Sequence, residues 1–160
     1  MAVDIFIKIG SIKGESKDSK HKDEIDVLAW SWGMTQSGTM HLGGGGGSGR
    51  VNVQDLNLTK YVDASTPVLM KFCATGEHID DITLTVRKAG KTQLEYIKIH
   101  LKKALVTSVQ TGGSGGEDRL TENVTLNFAS YEIEYTPQDD KGAGAAAITS
   151  GYDIESNKEV

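Results

Sequence analysis

Cysteine, proline and long apolar runs are nearly missing from this chain. A single cysteine, Cys73, in 160 residues excludes an internal disulfide and any zinc site built on paired cysteines. No apolar run approaches the length of a membrane-spanning helix. No lysine- or arginine-rich run stands out and the net charge is −5, which argues against phosphate-backbone binding as the main task. Two prolines against nineteen glycines favour many turns over a bundle of long helices. The opening residues carry Asp4 and Lys8 and no apolar h-region, so any export is expected to proceed without a classical signal.

Apolar content is 38% and charged content 24%, ordinary for a globular chain. One domain over residues 1–160 is the expectation at this length. Val3, Ile5, Ile7 and Ile9 alternate with Asp4, Phe6, Lys8 and Gly10, a period-2 strand with one clean apolar face. Residues 13–24 are charged without periodicity and read as a surface loop. In the next strand, Leu28, Trp30 and Trp32 fall on a bulky face expected in the core. Val27, Ala29, Ser31 and Gly33 fall on a face of small side chains, which suits either a close approach by another group or a surface without bulky side chains.

Five consecutive glycines follow: Gly43, Gly44, Gly45, Gly46 and Gly47, then Ser48 and Gly49. Ordering each costs roughly 0.5–1 kcal/mol more than alanine. The run lies between strand-like stretches and reads as the tip of a long hairpin. Gly44, Gly46 and Gly49 formally match a dinucleotide fingerprint, but Val51 to Val53 reads as strand where that fingerprint needs a helix. Arg50-Val51 also stands where a P-loop requires Lys-Ser/Thr. Neither nucleotide nor other cofactor binding is expected.

One helix is signalled by Ser65 or Thr66 as N-cap, Pro67 at the first helical position and Gly76 as C-cap. Val68, Leu69, Phe72 and Cys73 share its apolar side, so Cys73 reads as a buried, inert thiol. Strands resume over 82–86, 97–101 and 105–109, with a second glycine-rich turn at 112–116. From Val124, Leu126 and Phe128 keep one phase while Tyr131, Ile133 and Tyr135 take the other. A bulge near Ala129-Ser130, or a strand that changes its buried face, accounts for the slip. Gln138 to Ala147 is polar and alanine-rich and reads as flexible. About eight strands and one helix favour a compact sandwich or barrel.

Chemistry is sparse. His21, His41, His78 and His100 lack metal-ligand spacing. His21 and His100 read as solvated, and His41 as part of the hairpin. No catalytic set converges, so no enzyme activity is expected. Asn57-Leu58-Thr59 and Asn123-Val124-Thr125 match glycosylation acceptors and read as chance matches within strands.

Several separated motifs, in order, carry a resemblance. They are Gly14-Glu15-Ser16, Leu28 to Gly33 (LAWSWG), the glycine run leading into Val51 to Leu56 (VNVQDL), and Ser65-Thr66-Pro67. Thr111 to Phe128 (TGGSGGEDRLTENVTLNF) and Gly151-Tyr152-Asp153 complete the set, with tyrosine where many members have tryptophan. Together they resemble the Hcp (haemolysin-coregulated protein) family of bacterial type VI secretion. That resemblance implies a two-sheet β-barrel with a helix on its side, and hexameric rings stacked into a tube. It implies a VgrG spike at the tip, a surrounding sheath, and small effector proteins in the lumen. It further implies residence in the bacterial cytoplasm before firing, then secretion or delivery to a target cell. On this reading Val27, Ala29 and Ser31 line the lumen. His41, Gly43 to Gly49 and Arg50 form a ring-stacking hairpin tip, ordered by the neighbouring ring. Membrane insertion is not expected. The alternatives are a phage or phage-like tail-tube protein and, from a different class, a small β-barrel ligand-binding module.

Overall fold

A computed structural model describes residues 2–38, 40–42 and 49–160. Its strands are β1 (Val3–Ile9), β2 (Ile25–Ser31), β3 (Met34–Gln36), β4 (Val51–Val53), β5 (Leu56–Tyr61), β6 (Ile79–Lys88), β7 (Leu94–Thr111), β8 (Thr121–Tyr135), β9 (Ile148–Asp153) and β10 (Lys158–Glu159). One helix, α1 (Thr66–Thr75), follows β5, and a single 3₁₀ turn spans Met40–Leu42. Six strands close a barrel in the order β8-β5-β2-β1-β6-β7, with β7 returning to β8. Strands β9 and β10 extend it beyond β8, and β3–β4 form a separate two-stranded ribbon. The fold is therefore mainly β, a closed barrel with extra strands and one short helix. The ten described strands differ from the eight or so expected in both directions: 97–101 and 105–109 are one continuous strand, β7, whereas the stretch after the glycine run divides into β4 and β5, and β3 and β10 are too brief to show a period.

The barrel interior takes the apolar phase of each strand. Ile7, Ile9, Ile25, Leu56, Leu58, Leu84, Ile99 and Leu126 are all buried in one cluster. Closure depends on the long β7–β8 hairpin, which changes faces midway. Leu101 and Ala104 are both buried, as are Phe128 and Tyr131 across from them. Pairing stays in step, Leu101 with Tyr131 and Ala104 with Phe128, while Lys103 takes φ +52°. Both strands thus swap phase at one level, the second of the two explanations for the slip at Ala129-Ser130. The Ala129 carbonyl accepts the Ile154 N–H at 2.8 Å instead. Beyond this corner β7 and β8 join β5 on one side. Before it they join β6 and β9.

Helix α1 is bounded as its sequence signals suggest. Gly76 adopts φ +69° and donates its N–H to the Phe72 carbonyl, closing the C-terminus. Ser65 occupies the N-cap position without a side-chain cap bond. Its hydroxyl and N–H go to Asp63 Oδ1 instead. Leu69 is fully buried and Phe72 and Cys73 pack against the core, whereas Val68 is exposed.

The 13–24 segment is packed rather than loose. It lies over the outer side of β1 and β6, where Phe6, Thr85 and Arg87 are buried although they point out of the barrel. Gly14 donates to Asp23 O at 2.8 Å and Ser16 to Glu24 O at 3.0 Å. A Cβ on Gly14 would lie 2.6 Å from Glu24 O, so only glycine fits this approach. His21 is buried, not solvated. It stacks on Phe6 with ring centroids 4.4 Å apart and bridges Glu24 and Glu95 at 2.9 and 2.6 Å.

Candidate functional site

Strand β2 departs from simple alternation. Its pairing with β5 shifts between Val27 and Ala29, so one extra residue enters the strand there. A one-residue insertion inverts which side chains face inward. Val27 consequently points into the barrel at 7% exposure, while Leu28 stands outside at 43%. The expectation that Val27 shares an open face with Ala29 and Ser31 is corrected by this bulge, as is the core placement of Leu28. Trp30 and Trp32 do pack against the core. Trp32 donates Nε1–H to Gln54 O at 2.9 Å and meets Tyr131 edge-on at 4.9 Å.

Ala29 and Ser31 remain exposed, and neighbouring strands extend their face. Across β2, β5, β8 and β7 the register aligns Ala29, Thr59, Asn123 and Gln110 in one row. The next row holds Ser31, Asn57, Thr125 and Ser108. All are small or neutral polar side chains. Thr107 and Thr125 hydroxyls lie 2.6 Å apart. A carboxylate at its edge, Asp55, accepts from Thr107 Oγ1 and Asn127 Nδ2, both at 2.8 Å. The two rows form an exposed sheet face of small and neutral polar side chains, several of them hydrogen-bonded to one another. Sequence reading saw only its β2 portion. The overlooked signal was the repeated Asn-apolar-Thr triplet, whose outer residues project together from β5 and β8.

The hairpin expected around the glycine run has a defined base. Met34 pairs with Val53, Thr35 with Asn52 and Gln36 with Val51. All three β3 residues are exposed, and the Tyr131 hydroxyl reaches the Met34 sulfur at 3.5 Å. His41 sits exposed on the 3₁₀ turn, Arg50 is exposed, and Gly49 presses against Ser37. Gly43, Gly44, Gly45, Gly46, Gly47 and Ser48 lie outside the described residues.

Residues 6–135 match the family described as Type VI secretion system effector, Hcp. The chain belongs to the Hcp family. It is 62% identical over 159 residues to Protein hcp1 of Pseudomonas aeruginosa strain PAO1, covering 98% of both chains. The crystal structure of Hcp1 from Salmonella typhimurium matches with a TM-score of 0.82 at 38% identity, over the whole of both chains. A solved type six secretion system protein matches at 0.93 with 29% identity, covering 99% of this chain and 100% of that one. As an Hcp chain this is a secreted tube protein of type VI secretion, from a non-enzymatic family that forms hexameric tube rings.

Proposed function

We propose that six copies close a ring with the neutral β2-β5-β8-β7 face turned inward, and that this face is the wall of a cargo-bearing lumen. The carrying observation is that this four-stranded patch has open flanks among the described residues. Strand β2 pairs with β1 only at Ile25 and Asp26, leaving Val27 to Ser31 without a strand on that side. Strand β7 pairs with β6 only up to Ala104, leaving Leu105 to Thr111 with β8 alone. A head-to-tail ring needs two different patches per copy, and these two flanks supply them. Four strands from each of six copies, spaced about 4.8 Å, enclose a lumen roughly 35–50 Å across, depending on strand tilt. Such a width admits small effector proteins.

In this reading the β3–β4 ribbon carries His41, the glycine run, Ser48, Gly49 and Arg50 to the adjacent ring. An isolated two-stranded ribbon is marginal in water, so a neighbouring ring supplies what orders it. A VgrG spike caps the tube, a sheath surrounds it, and the tube passes from the cytoplasm to the exterior or a target cell. The test is Ser31→Tyr. Native mass spectrometry should still find hexamers, while effector co-purification is lost. Loss of the hexamer would place Ser31 in a subunit contact and overturn the lumen assignment. Shortening the glycine run should leave rings intact and abolish tubes in negative-stain micrographs.

A further inference from the structure

A charged side chain stands at the edge of the two neutral rows, and it is held in place. Asp55 directly precedes β5, so Asp55, Asn57 and Thr59 project to the same side at alternate positions. Asn123, Thr125 and Asn127 do the same on β8. Asp55 Oδ1 accepts from Asn127 Nδ2 and Oδ2 accepts from the Thr107 hydroxyl, both at 2.8 Å. Thr107 reaches it as the extra residue where β7 shifts register between Val106 and Ser108. A carboxylate thus joins a line of neutral side chains with its orientation fixed from two strands.

Its bonds set the direction of the hydrogen bonds beyond it. A carboxylate only accepts, so Thr107 gives its single hydroxyl proton to Asp55. The 2.6 Å contact between Thr107 and Thr125 then takes its proton from Thr125. Thr59 likewise gives its proton to Asn123 Oδ1. The oxygens of Thr59 and Thr125 therefore offer an incoming group lone pairs but no proton. Each Asp55 oxygen uses one acceptor direction and keeps another. The residue is half-buried, so a further donor can still reach it. This pattern suits a partner that brings N–H donors and positive charge, and a guanidinium can engage both oxygens at once.

We propose that Asp55 is a specificity-determining residue of the wall and receives a lysine or arginine side chain of a passenger protein, which rests on the lumen reading and adds to it the charge of the cargo surface. The side of a hexagon equals its radius. Six copies around a lumen roughly 35–50 Å across therefore set equivalent carboxylates roughly 18–25 Å apart. That is well beyond the Debye length of about 8 Å at physiological salt, so the six act as separate sites with little mutual repulsion. A small basic protein touching several at once gains affinity from contacts that are each weak. Because Asn127 and Thr107 already fix the carboxylate, it loses little freedom on contact.

The full chain carrying Asp55→Asn tests this beside Asp80→Asn, which removes the same charge from an exposed position on β6, outside the four-stranded face. The probes are fluorescein-labelled Gly-Ser peptides bearing either several arginines or, in their place, neutral citrullines. Anisotropy follows binding and native mass spectrometry reports the ring. Parent and Asp80→Asn should prefer the arginine peptide, with that preference shrinking as salt rises from roughly 50 to 200 mM. Asp55→Asn should bind the arginine peptide about threefold or more weakly and the citrulline peptide as the parent does. Asn57→Lys, which leaves the bonds of Asp55 in place and sets a competing ammonium beside it, should weaken arginine binding likewise and keeps the test open if Asp55→Asn misfolds. An equal loss in Asp80→Asn reduces the effect to net charge and overturns the proposal, as does a parent without preference for arginine. Hexamers of Asp55→Asn with undiminished arginine binding overturn the Asp55 assignment alone. Asp55-dependent binding by single chains that form no hexamer overturns the ring reading alone.

Discussion

Thr59 Oγ1 donates a 2.8 Å hydrogen bond to Asn123 Oδ1 across the β5–β8 ladder. The two residues belong to two Asn-apolar-Thr triplets running antiparallel, so Asn57 also faces Thr125. The middle residues, Leu58 and Val124, are buried in the barrel. What resembles a pair of glycosylation signals is therefore a structural repeat, with apolar side inward and amide or hydroxyl outward. Because the Thr59 bond is exposed to water, Thr59→Val should cost no more than about 1 kcal/mol in urea unfolding. Thr59→Lys should leave the fold equally intact and place a charge on the neutral wall. A loss beyond about 2 kcal/mol in either variant would mean the face supports the barrel itself.

The β2 bulge separates Val27 from Ser31 by environment although they share sequence parity. Val27→Ala should lower stability by roughly 1–3 kcal/mol through lost packing. Ser31→Ala should stay within about 0.5 kcal/mol. Parallel urea titrations decide the matter, and equal effects would contradict the inversion of phase.

Much of the architecture was legible locally. The Gly76 cap, the hairpin base leading to the glycine run, the phase change near Ala129 and the single helix all leave marks within a few residues. The β2 bulge left no such mark, because Val27-Leu28-Ala29 reads equally well in either phase. Only the Leu58 and Lys60 pairings across the sheet decide which residues turn inward. The fate of the 13–24 segment was likewise hidden. Its partners Arg87 and Glu95 come from strands more than sixty residues away, and no local pattern reveals which charges will be neutralised. The neutral face spans four strands for the same reason, and only its β2 edge was visible in sequence.

Acid should loosen the 13–24 segment first. Hydrogen bonds from the Arg87 guanidinium, then the Lys20 N–H, hold the Asp18 carboxyl well below its usual range. Burial pushes Glu95 up, but the His21 hydrogen bond and the charges of His21 and Lys98 outweigh it and leave Glu95 lowered. A carboxyl depressed on folding stabilises fully above its unfolded value of about 4 and loses that contribution as pH falls toward its folded value. Asp18→Asn should therefore melt below the parent at neutral pH, with the gap closing as pH falls below about 4. Thermal melts by circular dichroism from neutral to acid pH would show this, and a gap that widens in acid would reverse the assignment.

Lys60 and Glu122 form an ion pair with no exposed side-chain surface, at 2.5 Å. Lys60 Nζ also reaches the Tyr61 carbonyl at 2.8 Å and Asp63 at 3.1 Å, and the Thr66 hydroxyl donates to Glu122. The cluster ties the start of α1 to the ends of β5 and β8. Removing one partner strands a buried charge, so Lys60→Met alone should cost about 3–5 kcal/mol. Lys60→Met with Glu122→Leu removes both charges and should recover most of that loss, because a buried pair's attraction is largely offset by its desolvation. Glu122 Oε2 finds no partner within the described residues, so this pair is incompletely satisfied and the double variant has less to lose. Urea unfolding of both variants checks the ordering. A double variant no more stable than Lys60→Met would mean the cluster holds α1 by directional bonds that apolar packing cannot replace.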